Sequence, residues 1–261
     1  MATISLCMIV KNESAVLARC LDSIADLMDE IIIVDTGSTD NTKEIAAQYT
    51  SRIYDFKWTS DFSAARNFSF SKATMEYIYT ADADEILDDA NRERFLRLKD
   101  ALLPEIEIVQ MKYVTQGTFD TVLNAKKEYR PKLFRRLRTF TWIDPIHETV
   151  RLTPVTFDSD VEILHCPQSL HSKRDFSIFI KAFEHDGQFS PKIRTMYAKE
   201  LLKTGDKKDF TDAKPIFQLI FDNDPADDAR KEAACVLARI YRMEDNKNEF
   251  FKLTMKDMLT T

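Results

Sequence analysis

Three of the four residues Asp82-Ala83-Asp84-Glu85 are carboxylates, and they close an aromatic, apolar run, Tyr77-Ile78-Tyr79-Thr80-Ala81. Negative charges crowded at the end of a buried strand repel one another, so such a cluster needs a shared cation or solvating water. Mg²⁺ and Mn²⁺ prefer oxygen ligands and often link one or two carboxylates to substrate phosphates. The chemistry these residues suit is therefore metal-assisted handling of a diphosphate. The plain alternative is an acidic loop capping the next helix, and Asp-x-Asp alone does not separate the two.

The elements that must position this cluster can be read in order. Ile4–Val10 is a near-continuous apolar run, the pattern of a strand buried on both faces. Lys11-Asn12-Glu13 breaks it, and Asn12 is placed to cap a helix carrying Val16, Leu17, Cys20, Leu21, Ile24 and Met28. Ile31–Val34 is a second buried strand, ending at Asp35-Thr36-Gly37-Ser38-Thr39-Asp40. A helix is expected over 41–49, with Glu44 completing a capping box on Asn41. Gly37 is expected at positive φ in the turn, and Asp40 as a helix cap. Ile53 and Tyr54 make a third strand, 62–72 a third helix, and the Tyr77 strand follows. This alternation predicts a doubly wound, mostly parallel α/β sheet with right-handed crossovers. Ligands bind such sheets at the carboxyl ends of the strands, so Asn12, Asp35 and Asp82 should share one rim.

A helix is expected over 89–102. From 106 to 165 the texture changes to turn-separated strands (106–114, 118–123, 132–137, 149–152 and 161–165), which predicts an antiparallel extension or meander. Beyond that the chain reads as helices at 174–189, 191–204, 209–223, 226–242 and 246–259, close to the rhythm of tetratricopeptide pairs. Phe217, Leu219, Ile220, Ala233, Leu237, Ala238 and Tyr241 are the expected interior. The domain division expected is 1–172 and 173–261.

In 261 residues, 44% are hydrophobic, enough for a large core, and the net charge of -6 argues against a nucleic-acid binder. The four cysteines, Cys7, Cys20, Cys166 and Cys235, form no paired motif and read as reduced core residues of a cytoplasmic protein without structural zinc. No signal-type leader or apolar run of membrane-spanning length is seen.

Four ordered segments carry a resemblance: Met8-Ile9-Val10-Lys11-Asn12-Glu13, Ile33-Val34-Asp35-Thr36-Gly37-Ser38-Thr39-Asp40-Asn41-Thr42, Asp61-Phe62-Ser63-Ala64-Ala65-Arg66-Asn67 and Asp82-Ala83-Asp84-Glu85. Through them residues 4–148 resemble the family 2 glycosyltransferases, which have the A-type nucleotide-sugar fold. They look most like a bacterial branch with a helical repeat region after the catalytic domain, a branch that includes peptide S-glycosyltransferases. The resemblance implies an inverting transferase that moves a hexose or N-acetylhexosamine from a UDP-sugar, with Mn²⁺ or Mg²⁺, to a peptide or protein side chain. A glycan or lipid acceptor is the alternative, as is a non-catalytic scaffold. A nucleotidyltransferase would show a Gly-rich phosphate loop after the first strand, which is missing here.

The resemblance also assigns roles. Val10, Asn12 and Glu13 would line the nucleotide-sugar site, and Asp35 would accept the uracil N3–H; the alternative for Asp35 is a loop cap. Asp61 and Arg66 would face base or diphosphate, against a local surface ion pair. Asn67 is either a site residue or a structural amide. Asp82 and Ala83 would meet ribose and the water shell of the metal, and Asp84 the metal itself. Glu85 could face acceptor, metal surroundings or solvent. In the later strands His147 is the candidate further metal ligand or a donor to the diphosphate, and Glu148 the candidate general base with Asp144 as competitor. Arg135 would grip the diphosphate, or else be a solvated strand residue. His165 and His171 follow the last strand and read as structural first, with closure over the nucleotide as the alternative for either. The helical region would position the acceptor or form a homodimer.

Overall fold

A computed structural model describes residues 1–115, 127–136, 142–143, 145–146, 149–150, 155–166 and 172–258. Contacts divide the chain into two compact units, Met1–Ser169 and Leu170–Thr261.

The first unit alternates as expected: β1 (Ile4–Val10), α1 (Leu17–Ile24), β2 (Glu30–Asp35), α2 (Thr42–Ala46), β3 (Ile53–Asp55), α3 (Phe62–Phe70) and β4 (Tyr77–Thr80). Next come β5 (Glu85–Ile86), α4 (Asp89–Ala101), β6 (Ile108–Thr115), β7 (Lys127–Arg135), β8 (Trp142–Ile143), β9 (Thr149–Val150) and β10 (Thr156–His165). The main sheet runs β3-β2-β1-β4-β7-β6-β10-β5, and β8 pairs with β9 separately. β1 is parallel to β2 and β4, and β2 to β3. β7 is antiparallel to β4 and to β6. The expected meander is corrected in one respect: β10 returns parallel to β6 and antiparallel to β5. The expected strand at 118–123 lies outside the described residues.

Both sheet faces are buried because alternate side chains feed two cores. Leu6, Met8, Ile33, Tyr77 and Tyr79 pack with Leu17, Cys20, Leu21 and Ile24 of α1 and Phe95 of α4. The residues between them, Cys7, Ile32, Val34 and Ile78, pack with Phe68 and Phe70 of α3. Parallel strands therefore read as unbroken apolar runs, and their polar residues collect where the strands end.

Two local expectations are corrected. Asn12 does not cap α1, which starts after Val16; it sits at φ 56 in the loop above β1. The helix expected over 41–49 is only α2, and Asn41 makes no side-chain cap. Asp40 does that work, accepting from Thr42 N–H at 3.1 Å. Gly37 has φ 101, with nothing within 4 Å of a Cβ built there, so its role is conformational.

The second unit holds α5 (Ser172–Asp186), α6 (Pro191–Thr204), α7 (Lys207–Asn223), α8 (Asp227–Met243) and α9 (Lys247–Met258). α5 packs on α6 and α7, both α6 and α7 on α8, and α8 on α9, a stacked order like that of paired-helix repeats. Ser190 caps α6 ahead of Pro191, and Asp206 with Asp209 forms a capping box on α7. Phe217, Ile220, Ala233, Leu237 and Tyr241 are buried as expected, but Leu219 is 48% exposed, off the stripe set by Ile216, Phe217 and Ile220. Cys235 is likewise exposed, not a core residue, while Cys7 and Cys20 are buried. Among the described residues no helix is long and apolar enough to cross a membrane.

Candidate active site

The rim at the carboxyl ends of β1 and β2 is assembled by direct cross-links. The register sets Val10 beside Asp35, and the Val10 carbonyl accepts from Thr36 N–H at 3.0 Å and Thr36 Oγ1 at 3.2 Å. Asn12 N–H donates to Ser38 Oγ at 2.9 Å, and Asn12 Oδ1 accepts from Thr39 N–H at 2.7 Å. Glu13 N–H donates to Thr42 Oγ1 at 2.8 Å, and Ser14 N–H to Asp40 Oδ2 at 3.2 Å. Asp35 is 1% exposed; its Oδ2 accepts from Gly37 and Ser38 N–H, both at 3.0 Å. Its Oδ1 is buried with no partner in the protein. A buried carboxylate oxygen left this way is costly unless a ligand donor meets it.

On the neighbouring strand, the turn after β4 is closed on itself. Glu85 N–H donates to the Asp82 carbonyl at 3.1 Å, and Asp82 N–H to Glu85 Oε2 at 3.2 Å. Cys20 Sγ reaches the Asp82 carbonyl at 3.4 Å from α1. β10 clamps the same turn: Glu85 pairs with His165, and Cys166 N–H donates to the Asp84 carbonyl at 3.0 Å. This antiparallel pairing sets His165 Nε2 3.0 Å from Asp84 Oδ2. The His165 ring lies 4.9 Å from that of Tyr113, and its Nδ1 is buried without a protein partner. Asp82 remains open to solvent, although protein surrounds it. That crowding opposes its charge, but Lys132, Arg66, Arg130 and His165 together hold its carboxyl below the ordinary value.

Asp84, His165 and nearby Asp82 offer oxygen and imidazole donors, a set suited to Mg²⁺ or Mn²⁺. Among the described residues no three such groups already converge into a closed metal cage. Asp84 and His165 do meet, at 3.0 Å, which fits a cation that completes its shell with substrate phosphates and water.

Asp61 caps α3, its Oδ1 accepting from Ala64 N–H at 3.2 Å and Ser63 Oγ at 2.6 Å. The surface ion pair considered for it gives way to this cap. Arg66 lies 5.1 Å over the Trp142 ring. Asn67 is a structural amide: its Nδ2 donates to the Trp142 carbonyl at 3.1 Å and its Oδ1 accepts from Trp142 N–H at 3.0 Å. Phe62 N–H donates to the Pro145 carbonyl at 2.9 Å, so α3 holds the chain on both sides of position 144. Asp144, His147, Glu148 and His171 themselves lie outside the described residues.

Arg135 is corrected. It pairs with Tyr77, the first residue of β4, and bonds the Pro104 carbonyl, so it sits at the far end of the sheet from Asp82. β7 runs antiparallel to β4, which brings its earlier residues to the rim instead. Lys132 is one: it is 6% exposed and its Nζ lies 2.5 Å from Oε1 of Glu85, itself 2% exposed. Arg130 is the other, its guanidinium 3.7 Å over the Tyr113 ring. Glu85 thus faces protein, not solvent. Lys132, Arg130, Tyr113 and the placement of His165 were missed from sequence. The signal was the strand direction: a strand antiparallel to β4 must begin at the rim where β4 ends.

Known proteins bear on this geometry. The glycosyl transferase family 2 profile matches residues 5–153. A TPR repeat-containing protein of Synechococcus elongatus is 48% identical over 87 residues, 33% of this chain and 22% of that protein. The SPbeta prophage-derived glycosyltransferase SunS of Bacillus subtilis is 33% identical over 132 residues, 49% of this chain and 31% of that one. The chain thus spans about a fifth to a third of the length of these curated relatives. Among solved structures, glucosyl-3-phosphoglycerate synthase from Mycobacterium tuberculosis, in complex with Mn²⁺, UDP-glucose and phosphoglyceric acid, aligns with TM-score 0.52 at 18% identity, over 73% of this chain and 82% of that one. TarS of S. aureus aligns with TM-score 0.53 at 11% identity over 96% of this chain and 54% of its own. At such identities the likeness is one of fold, while the profile spans more than half the sequence and all four of the ordered segments. By that match the chain belongs to glycosyl transferase family 2.

Proposed function

We propose that this protein is an inverting, metal-dependent glycosyltransferase that uses a UDP-sugar. The observation that carries the reading is the Asp84–His165 pair, 3.0 Å apart on the rim that also holds the unpartnered buried Oδ1 of Asp35. In this reading Asp35 Oδ1 accepts the uracil N3–H, which selects uridine over cytidine. Asn12 and Glu13 fix the loop that lies against the nucleotide. Asp84 and His165 hold Mn²⁺ or Mg²⁺, with Asp82 toward ribose and the metal's water. When bound, the cation supplies Lewis-acid neutralisation of charge on the departing diphosphate. Arg66 and Arg130 add fixed positive charge nearby. Glu148, or Asp144, takes the proton of the acceptor nucleophile as it attacks the anomeric carbon and UDP leaves from the opposite face. The solved neighbour that contains Mn²⁺ and UDP-glucose supports the donor half.

For the acceptor, the repeat-like helical unit supports a peptide or protein. A glycan acceptor is the second reading, favoured by 31% identity over 99 residues to the lipopolysaccharide core biosynthesis glycosyltransferase LpsC of Rhizobium meliloti. The test is release of UDP from a panel of UDP-sugars, with and without Mn²⁺. Turnover that stops with a chelator and in Asp84→Ala is expected. Turnover that survives both would remove the metal from the account.

A further inference from the structure

The charged pair Lys132–Glu85 is buried, at 6% and 2% exposure. Burying two opposite charges is seldom more stabilising than packing two apolar side chains of the same size. Its place in the fold shows a different use. The Glu85 carboxylate divides its two oxygens: Oε1 meets Lys132 Nζ at 2.5 Å, and Oε2 accepts from Asp82 N–H at 3.2 Å. The Glu85 main chain meanwhile donates to the Asp82 carbonyl at 3.1 Å and pairs with His165 across β5 and β10. One residue therefore joins the two ends of the Asp82–Glu85 turn to the strand that delivers His165. Lys132 fastens that residue to β7, the neighbour of β4. Tyr113, whose ring centroid is 5.5 Å from Lys132 Nζ and 4.9 Å from that of His165, packs against both.

We infer that Glu85 and Lys132 are positioning residues. They set the Asp82-Ala83-Asp84 turn against His165 so that the two donors from different strands meet in one place, and they touch neither nucleotide nor metal. This inference rests on the proposed donor site. A shorter carboxylate cannot span both Lys132 and Asp82 N–H, and an amide cannot balance the ammonium. The geometry needs a glutamate with a buried lysine behind it.

The test uses the full chain. Mn²⁺ binding in the presence of UDP is followed by the loss of the free-ion electron paramagnetic resonance signal, alongside Tm. Four proteins are compared: wild type, Glu85→Asp, Lys132→Met, and the double variant Glu85→Gln with Lys132→Met. Lys132→Met strands a buried carboxylate and is expected to lower Tm most. The double variant removes both charges and is expected to recover most of that Tm, yet to bind Mn²⁺ at least tenfold more weakly than wild type. Glu85→Asp keeps the charge balance but cannot meet both partners, and is expected to show the same tenfold loss with a smaller fall in Tm than Lys132→Met. Wild-type Mn²⁺ affinity in a folded Glu85→Asp or double variant would overturn the inference and leave the pair as core filling. Absence of UDP-dependent Mn²⁺ binding in wild type would instead overturn the donor-site reading and the inference with it.

Discussion

Asp40 is a side chain whose use is structural and measurable. Burial works against its charge, but hydrogen bonds from Ser14 and Thr42 outweigh that and hold its carboxyl down at about 2. It thereby ties the loop after β1 to the loop after β2, next to Asp35. A carboxyl held below its unfolded value of 3.8 contributes stability that is present above that value and lost as the pH falls through the folded one. The Tm difference between wild type and Asp40→Asn should therefore be constant at neutral pH and close as the pH drops from 3.8 toward about 2. Thermal melts across that range check it, and a gap that persists in acid would mean the charge is not what holds the loops. Asp35 differs from Asp40 in a way that matters: one of its oxygens is used by the protein and the other is not. Such division is what a residue serving both a loop and a ligand requires.

At the scale of elements, the site is a set of strand ends held in register by loops and by α3. Asn67 grips the Trp142 peptide at both its donor and its acceptor. Removing it leaves two partly buried backbone groups unpaired, at about 1–3 kcal/mol. Asn67→Ala should lower Tm by about 3–10 °C, and Asn67→Asp, which sets a carboxylate oxygen against the Trp142 carbonyl, should not restore it; calorimetry reads both, and an unchanged Tm in Asn67→Ala would contradict the grip. How far the sequence revealed these elements follows from what is local. β1, β2 and β4 are apolar runs with polar residues at their carboxyl ends, so Asp35 and the Asp82 turn could be assigned to one rim from pattern alone. The partners of that turn could not. β5 has two residues, β10 carries a register shift between Asp158 and Glu162, and β10 pairs with both β5 and β6. Nothing near His165 in the sequence announces that pairing. Arg135 and Lys132 lie three positions apart in one basic segment, and only the direction of β7 separates the far edge of the sheet from the site. Asn12 was misplaced for a related reason: a cap and a loop bridge use the same short polar side chain, and the positive φ that distinguishes them is invisible in sequence.

For the whole molecule, the chain divides into two compact units. The described part of the proposed donor site draws on residues of the first unit alone. Calorimetry of the full chain should resolve two transitions, and UDP with Mn²⁺ should raise only that of Met1–Ser169. At about a hundredfold excess over Kd the stabilisation is about 2.7 kcal/mol, or roughly 5–10 °C for a unit of this size. Movement of the helical transition instead would place nucleotide binding on Leu170–Thr261 and contradict the proposed donor site.

In the proposed donor site Asp35 selects uridine while Asp84 and His165 hold the cation. The most direct test of that assignment is calorimetric titration of the chain with UDP, CDP, ADP and GDP, each with and without Mn²⁺, in wild type, Asp35→Asn and Asp84→Ala. Expected is binding of UDP in preference to the other three, dependent on Mn²⁺, weakened about tenfold or more in Asp35→Asn, a loss of about 1.4 kcal/mol per tenfold, and lost in Asp84→Ala. Equal binding of UDP and CDP, or UDP binding indifferent to Mn²⁺ and to Asp84, would contradict it.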